Sequence, residues 1–194
     1  MDLTAASTLF AWLDREVWLV TARAGERRGG LIATFVNAAS IVSEMPRVLV
    51  GLSRQHYTWE LVEASGAFAL HLLGEQHLET VWRFGLKSGR SIDKFEGLTM
   101  TAGASGSPLL ADCIGWLDCR VEDRLHSGDR TVYLAEVVES GVTRFDPPLT
   151  DKRLLELASP QQLAELKRQR AADSHLDAEA IRAWRQTKKE VRGG

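Results

Sequence analysis

The chain has 194 residues, of which 44% are hydrophobic and 26% charged, and its formal net charge is −2. This composition excludes a disordered chain and lacks the basic bias of a nucleic-acid-binding domain, so we expect a globular protein without a nucleic-acid partner. Apolar runs are strand-sized and fall short of the roughly 20 residues of a membrane helix, and the N-terminus lacks a signal-peptide pattern. We therefore expect a cytoplasmic protein without a membrane partner.

Hydrophobic periodicity and turn residues divide most of the chain into short helices and strands. In chain order, the predicted elements are a helix at 4–15, strands at 17–22, 31–36 and 47–52, a helix at 57–64, a strand at 67–73, a helix at 75–84, and strands at 98–101, 113–122 and 131–142. Regular strand–helix alternation is absent, and so is a GxGxxG motif after the first strand. The pattern therefore predicts a mainly β fold, a closed antiparallel β-barrel with inserted helices, instead of a Rossmann fold.

The composition changes after the Pro-Pro pair at 147–148, where a polar and mildly basic segment begins. We therefore expect a barrel domain at 1–146 and a helical C-terminal extension at 147–194. A capping-box pattern that starts at Ser159 predicts one helix, and a second helical stretch is predicted at 177–192. Because apolar residues are sparse, this extension is expected to lie across a partner surface or to fray, and it is not expected to form a ligand site.

The cysteines and histidines form no reactive cluster in the sequence. Cys113 and Cys119 have an even spacing that places both on one face of a predicted strand, and we interpret them as small buried residues. His71, His77 and His175 are scattered along the chain, and we interpret them as structural. No metal site is predicted, because closely grouped Cys and His ligands are absent, and neither GxSxG nor HExxH occurs.

Polar residues gather where predicted strands end. Thr34 and Asn37 end the second hairpin strand, and the segment SRQHYT at 53–58 joins a strand to a helix. Backbone N–H groups at a helix start, with hydroxyls and an arginine nearby, form a ready phosphate site, whereas the same residue types also serve as ordinary helix caps. The segment KSGRSIDKF at 87–95 is either a solvated loop or a flap over an anionic or aromatic ligand.

Six stretches of the sequence resemble segments of known proteins. They are GLIATFVNAAS at 30–40, PRVLVGLS at 46–53, RQHYTWELV at 54–62, SGAFALHLL at 65–73, DKF at 93–95 and GDRTVYLAEVV at 128–138. In this order they resemble the flavin reductase-like family, whose fold is the FMN-binding split barrel. The resemblance covers about residues 8–143 and leaves the C-terminal extension outside it.

The resemblance implies an NAD(P)H-dependent flavin reductase, in which hydride passes from nicotinamide to flavin N5. It implies FMN as the cofactor, with FAD as an alternative, a homodimer, and a monooxygenase or another acceptor for the electrons. The residues that it places along the flavin ring are Thr34, Phe35, Asn37 and Ala38. The residues that it places at the phosphate end are Ser53, Arg54, Gln55 and Thr58, with Lys94 and Phe95 closing over the flavin.

One position departs from the family pattern. Many members have a histidine after the Gly-Asp of the last hairpin, near the meeting point of nicotinamide and flavin, but this chain has Arg130 there and His126 four residues earlier. Both are candidate catalytic residues, yet an arginine stays charged and cannot exchange protons near neutral pH. The alternative function is therefore an FMN-binding electron carrier or redox sensor that a protein partner reduces. A third hypothesis keeps the barrel and replaces the ligand with a deazaflavin or haem.

The sequence generates one direct test of the predicted phosphate site. We expect Arg54→Ala to weaken FMN binding by about 1–3 kcal/mol, the usual loss on removing a charge-assisted hydrogen bond. Flavin fluorescence titration of the purified variant measures this change. Unchanged FMN affinity would show that the phosphate lies away from Arg54.

Overall fold

The structure is a computed structural model that describes residues 4–193, with side-chain burial given for residues 4–190. The helices are α1 (Thr4–Trp12), α2 (Tyr57–Ser65), α3 (Leu78–Leu86), α4 (Asp151–Leu157) and α5 (Pro160–Gly193), and a 3₁₀ turn at Glu75–His77 precedes α3. The strands are β1 (Trp18–Ala24), β2 (Arg27–Ala33), β3 (Val36–Ala38), β4 (Arg47–Ser53), β5 (Ala67–Leu72), β6 (Met100–Ala102), β7 (Pro108–Leu110), β8 (Gly115–His126) and β9 (Arg130–Val142).

Seven strands form one antiparallel sheet in the order β2-β1-β5-β8-β9-β4-β3. The sheet curls into a half-barrel, and side chains from β1, β4, β5 and β9 meet in one core inside it. The end strands β2 and β3 are not paired with each other in the part of the chain that the structure describes. The barrel is therefore split, and the prediction of full closure is wrong. Strands β6 and β7 form a separate two-stranded sheet.

Helices contain slightly more residues than strands, so the prediction of a mainly β protein is also wrong in proportion. The cause is α5, which is one helix of 34 residues where the sequence predicts two stretches. Its predicted start is confirmed, because Ser159 Oγ accepts from Gln162 N at 3.2 Å and Gln162 Oε1 accepts from Ser159 N at 2.8 Å. Within residues 4–193, no helix combines the length and apolar character needed to cross a membrane.

The inner face of the curled sheet encloses the first apolar core. Alternate residues of β4, Val48, Val50 and Leu52, point into this core, as the two-residue period of a strand requires. Helix α2 buries Leu61 and Val62 in the same core. The sheet and α2 therefore share one interior, which fixes the first turn of α2 against the barrel.

A second core lies on the outer face of β1, so this strand is buried on both sides. Leu19 of β1 packs there with Val81 and Phe84 of α3. Leu149 and Leu154 come from beyond residue 146 and are buried in the same core. The first part of the C-terminal segment is thus packed into the body of the barrel.

Two adjacent glycines of β2 let two helices approach the same strand. A Cβ on Gly29 would lie 2.9 Å from Leu61 of α2, and a Cβ on Gly30 would lie 2.8 Å from the Phe84 ring of α3. Because successive residues of a strand face opposite sides, α2 and α3 press on opposite faces of β2. Any side chain at either position would push one helix away from the strand.

Cys113 and Cys119 lie in different cores, so the prediction of a shared face is wrong. Cys113 belongs to a bend that precedes β8, and the alternation of the strand does not extend to it. Cys119 points into the inner core. Burial raises the pKa of Cys113 to about 11 and also raises the pKa of Cys119, so both thiols stay protonated.

His71 is a fully buried histidine that joins three strands. Its Nδ1 lies 3.1 Å from Leu19 O, and its Nε2 accepts from the backbone N–H of Leu110 at 3.0 Å. This pattern requires the neutral tautomer with the proton on Nδ1. Burial lowers the pKa of His71 to about 4, against an ordinary value of 6.5.

We expect the neutrality of His71 to make folding sensitive to acid. The unfolded chain takes up a proton near pH 6.5 that the folded chain excludes, so stability is complete above pH 6.5 and falls by about 3 kcal/mol on the way to pH 4. His71→Gln removes the titrating group, and urea unfolding between pH 7 and pH 4.5 should show a shallower loss of stability. His175→Gln is the control, because His175 is exposed, and an equal slope in both variants would contradict the prediction.

Candidate functional site

A cavity of about 440 Å³ lies between β2, the first turn of α2, the end of α3 and the middle of α5. Its wall includes Thr34 at the end of β2, His56 and Thr58 at the start of α2, and Lys94. Thr58 is only 2% exposed, and none of the hydrogen bonds among the described residues uses its hydroxyl. A hydroxyl in a cavity wall that makes none of these hydrogen bonds is a group that a ligand can satisfy. The buried side-chain nitrogen that lacks a partner among the described residues is a different atom, Trp18 Nε1.

Lys94 supplies a buried positive charge to this cavity. Its ammonium donates to Gly30 O at 2.9 Å and to Phe84 O at 2.8 Å, and the residue is 5% exposed. Burial lowers the pKa of Lys94 to about 8. The ammonium therefore ties the last turn of α3 to β2 beside the cavity, whose wall includes Lys94.

The segment 87–91 closes one side of the cavity. The Arg90 guanidinium donates to Gln55 O at 3.1 Å, pairs with the Glu60 carboxylate, and lies 5.7 Å from the centre of the Tyr57 ring. These contacts fix the segment against the first turn of α2. The segment is thus a surface loop that borders the cavity at residues 87–90, and its role as a flap over a ligand stays a prediction.

A second polar cluster adjoins the cavity and is centred on a carboxylate of α5. Asp177 accepts from Ser53 Oγ and Gln55 Nε2 at 3.4 Å each, and its other oxygen lies 3.4 Å from Arg130 Nη2. Arg130 also pairs with Asp129 at 3.2 Å. Burial raises the pKa of Asp177, whereas Arg130 acts to lower it. We refer to Ser53, Gln55, Arg130 and Asp177 as the Asp177 cluster.

His56 lies between the two parts of the site. It is the residue before α2 and lines the cavity, and it follows Gln55 of the Asp177 cluster. Burial lowers the pKa of His56, whereas Asp173 of α5 acts to raise it and Arg130 to lower it further. A neutral imidazole at this position donates a hydrogen bond from one ring nitrogen and accepts one at the other.

The structure divides the predicted site residues into three groups. Those that line the cavity are Thr34, Thr58 and Lys94. Those in the Asp177 cluster are Ser53, Gln55 and Arg130. Those that reach neither are Phe35, Asn37, Ala38, Arg54, Phe95 and His126.

The residues of the third group have other contacts. Phe35, 40% exposed, stacks its ring over Gly51 on the outer face of the sheet. The Arg54 guanidinium lies 5.2 Å from the centre of the Trp59 ring. Phe95 is buried against Phe84 in the second core, with ring centres 5.1 Å apart. These placements follow from packing with neighbours that the local sequence does not reveal.

Asn37 and Ala38 lie on the exposed edge strand β3, next to Phe35. His126 is exposed at the end of β8, and its Nδ1 lies 2.9 Å from Thr131 Oγ1. Edge strands present unpaired backbone groups, so β3 can accept a ligand or another chain. His126 lies outside both the cavity wall and the Asp177 cluster.

Sequence reasoning missed the residues that α5 brings to the site. Gln169, Arg170 and Asp173 line the cavity, and Asp177 completes the neighbouring cluster. Gln169, Asp173 and Asp177 are each four residues apart, which marks one helix face, but only the fold shows that this face meets the barrel. Within residues 4–193, no group of three or more His, Cys, Asp or Glu side chains is placed to hold a metal ion.

Comparison with known proteins bears on this site. A family model described as a flavin reductase like domain matches residues 11–153. High molecular weight rubredoxin from Moorella thermoacetica is 30% identical over 152 residues, which are 77% of this chain and 64% of that protein. Ferric-chelate reductase (NAD(P)H) from Archaeoglobus fulgidus is 27% identical over 77% of this chain and 86% of its own length.

Among solved structures, a flavin reductase domain protein from an Arthrobacter species is 26% identical, with a TM-score of 0.68. The match covers 77% of this chain and 90% of that chain. The chain spans less than two thirds of the Moorella relative, so the activity of that whole protein does not transfer directly. Helix α5 begins after the last residue of the matched domain.

The lone hydroxyl of Thr58 generates a test of the cavity. We expect Thr58→Val to leave the free energy of unfolding within about 0.5 kcal/mol, because no hydrogen bond is lost, and to weaken FMN binding by about 0.5–1.5 kcal/mol. Urea unfolding and flavin fluorescence titration measure the two effects.

Thr131→Val is the matched control for Thr58→Val. The Thr131 hydroxyl is buried and accepts from Trp59 Nε1 at 2.9 Å, so its loss should lower stability by about 1–3 kcal/mol and leave FMN affinity unchanged. Equal effects of the two substitutions on binding would contradict a ligand role for Thr58.

Proposed function

Because the chain belongs to the flavin reductase-like family, we propose that it binds FMN at the cavity beside α2 and oxidises NAD(P)H with it. When bound, FMN supplies the chemistry by accepting a hydride at N5 and passing electrons to an acceptor. The protein holds the flavin, positions the nicotinamide against it and excludes water. Because the cofactor supplies the chemistry, the protein needs polar groups that hold it and does not need a catalytic triad of its own.

The observation that carries the proposal is that Thr58, whose hydroxyl makes none of the hydrogen bonds among the described residues, lies in the same cavity wall as Lys94. A hydroxyl, a cation and the N-terminal turn of a helix are the groups that hold phosphates in proteins. The volume of about 440 Å³ falls in the range of roughly 300–1,000 Å³ for ligand pockets. The residues present therefore fit the phosphate and ribityl end of FMN, and FAD shares that end.

The ring end of the flavin is assigned to Thr34 and the exposed residues that follow it. Asn37 and Ala38 lie on the open edge strand β3, and Phe35 comes directly before it. We infer that a second copy of the chain covers this edge in a homodimer. Helix α1 supports dimer formation, because Phe10 is 65% and Trp12 68% exposed. Apolar side chains exposed together are typical of a surface that another protein covers.

Arg130 is assigned to ligand binding and not to proton transfer. A guanidinium keeps its charge at any working pH, and here it contacts the Asp129 and Asp177 carboxylates. It thus offers a site for an anionic group of the co-substrate. We assign no step of the proposed reaction to His126, since its side chain is hydrogen-bonded to Thr131 on the surface.

A second candidate function is an electron carrier or redox sensor that a protein partner reduces. It is favoured by α5, which contacts Arg130 and borders the cavity where a nicotinamide would have to enter. In either case the acceptor is external, and we propose a monooxygenase or another redox protein in the cytoplasm.

The spectrum of the protein and its reduction separate these functions. We expect protein incubated with FMN and desalted to show the oxidised flavin spectrum, and NADH or NADPH to bleach it in stopped-flow mixing at rates above those of free FMN. Dithionite serves as the chemical control. Bleaching by dithionite alone would favour the carrier, and failure to retain or titrate FMN would overturn both candidates.

A further inference from the structure

Helix α5 crosses both parts of the site. At its middle, Gln169 Nε2 donates to Leu86 O at the end of α3, at 2.9 Å. Two turns later, Asp177 enters the Asp177 cluster. Beyond that point the helix backbone packs on the β8–β9 turn, where a Cβ on Gly128 would lie 2.8 Å from Ala180 O. The helix therefore covers the site along its length.

The covering face of α5 is polar at the point where it meets the site. Gln169, Asp173 and Asp177 are four residues apart and lie on one helix face, and none of residues 160–190 of α5 is fully buried. A helix that packs permanently on a protein presents an apolar stripe. The carboxylates and the amide lie between Leu166, which lines the cavity, and Trp184, which packs on Gly128. The apolar contacts that oppose separation of this face from the barrel are therefore confined to its two ends.

The contacts of Asp177 are those of an anion in a binding site. A buried hydroxyl (Ser53, 3% exposed), a side-chain amide (Gln55) and a guanidinium (Arg130) converge on one carboxylate. All three distances are 3.4 Å, longer than the roughly 2.7–2.9 Å of strong charge-assisted hydrogen bonds. Arg130 Nε is paired with Asp129 at 3.2 Å, so Arg130 Nη2 is the guanidinium nitrogen that faces Asp177. Together with Ser53 and Gln55 it forms an anion site that Asp177 fills loosely.

We propose that α5 is an autoinhibitory strap, in which the Asp177 carboxylate occupies the position of a ligand phosphate and is displaced when that ligand binds. A phosphate monoester, as in FMN, brings more negative charge than a carboxylate, about −1.5 to −2, and three acceptor oxygens. The pyrophosphate of a nicotinamide dinucleotide likewise brings a negative charge on each of its two phosphates. Either group therefore satisfies Ser53, Gln55 and Arg130 better than Asp177 does. The inference rests on the proposed flavin site, because the phosphate is taken to be that of FMN, held where the cavity wall at Thr58 adjoins the Asp177 cluster, or that of the nicotinamide co-substrate.

The test compares two substitutions that each remove one negative charge from α5. Asp177→Asn removes the carboxylate of the cluster, and Glu179→Gln removes an exposed carboxylate two residues away, whose contact is His175 on the same helix. Dissociation constants for FMN, riboflavin and NADH are measured with the full-length wild type and both variants. Riboflavin lacks the phosphate and so reports the ring and ribityl contacts alone.

We expect Asp177→Asn to tighten FMN binding about threefold to tenfold, because the carboxylate no longer competes with the phosphate for the donors of the cluster. Riboflavin binding should stay unchanged. Tighter NADH binding, with FMN unchanged, would also support the strap and would assign the phosphate to the nicotinamide. Equal behaviour of Asp177→Asn and Glu179→Gln would overturn it. Asp177→Ala repeats the comparison if the asparagine variant is poorly soluble.

A second readout keeps this inference distinct from the proposed function. If neither the wild type nor the variants bind any flavin, the proposed function fails, and inorganic pyrophosphate then probes the Asp177 cluster directly. A larger rise in Tm with pyrophosphate for Asp177→Asn than for Glu179→Gln would retain the strap, and equal rises would overturn it.

Hydrogen exchange of the wild type gives the direction of the movement. We expect FMN to increase amide exchange in residues 166–184, because the strap leaves the barrel when the phosphate arrives. Increased protection of this segment would overturn autoinhibition, since α5 would then close over the ligand.

Discussion

The close approach of two helices to one strand determines the site. Gly29 and Gly30 lack the side chains that would hold α2 and α3 away from β2, so both helices contact it from opposite faces. The cavity exists at this junction, with the start of α2 on one side and the end of α3 on the other. Lys94 bridges Gly30 O and Phe84 O across the same junction. A larger residue at either glycine would change the dimensions of the cavity, and at Gly30 it would also change the cavity wall itself.

Much of the barrel is predictable because its signals are local. The alternation of Val48, Val50 and Leu52 indicates a strand with one buried face, and the capping box at Ser159 marks the start of a helix. The gathering of polar residues at 53–58 likewise predicts where polar contacts form. These features are determined by residues that are adjacent in the sequence, so the sequence alone predicts them.

The parts that sequence reasoning missed depend on distant contacts. Phe95, predicted to close over a ligand, is buried because Phe84 from another element packs against it. Cys113 loses its predicted alignment with Cys119 because the chain bends before β8. The role of α5 was hidden for a further reason: its polar face resembles that of a solvated helix, and only the position of Ser53, Gln55 and Arg130 gives Asp177 its partners.

The double attachment of the Lys94 ammonium has a consequence for how the protein can vary. Since Lys94 holds α3 to β2 through two backbone carbonyls, this side of the cavity is preorganised, and binding does not have to order it. The conformational cost of occupancy then falls on α5, a surface helix with no fully buried side chain in residues 160–190. Substitutions on this helix therefore have little effect on the stability of the barrel. Affinity can therefore drift or be engineered through α5 while the barrel sequence stays fixed, which separates the evolution of ligand retention from that of the fold.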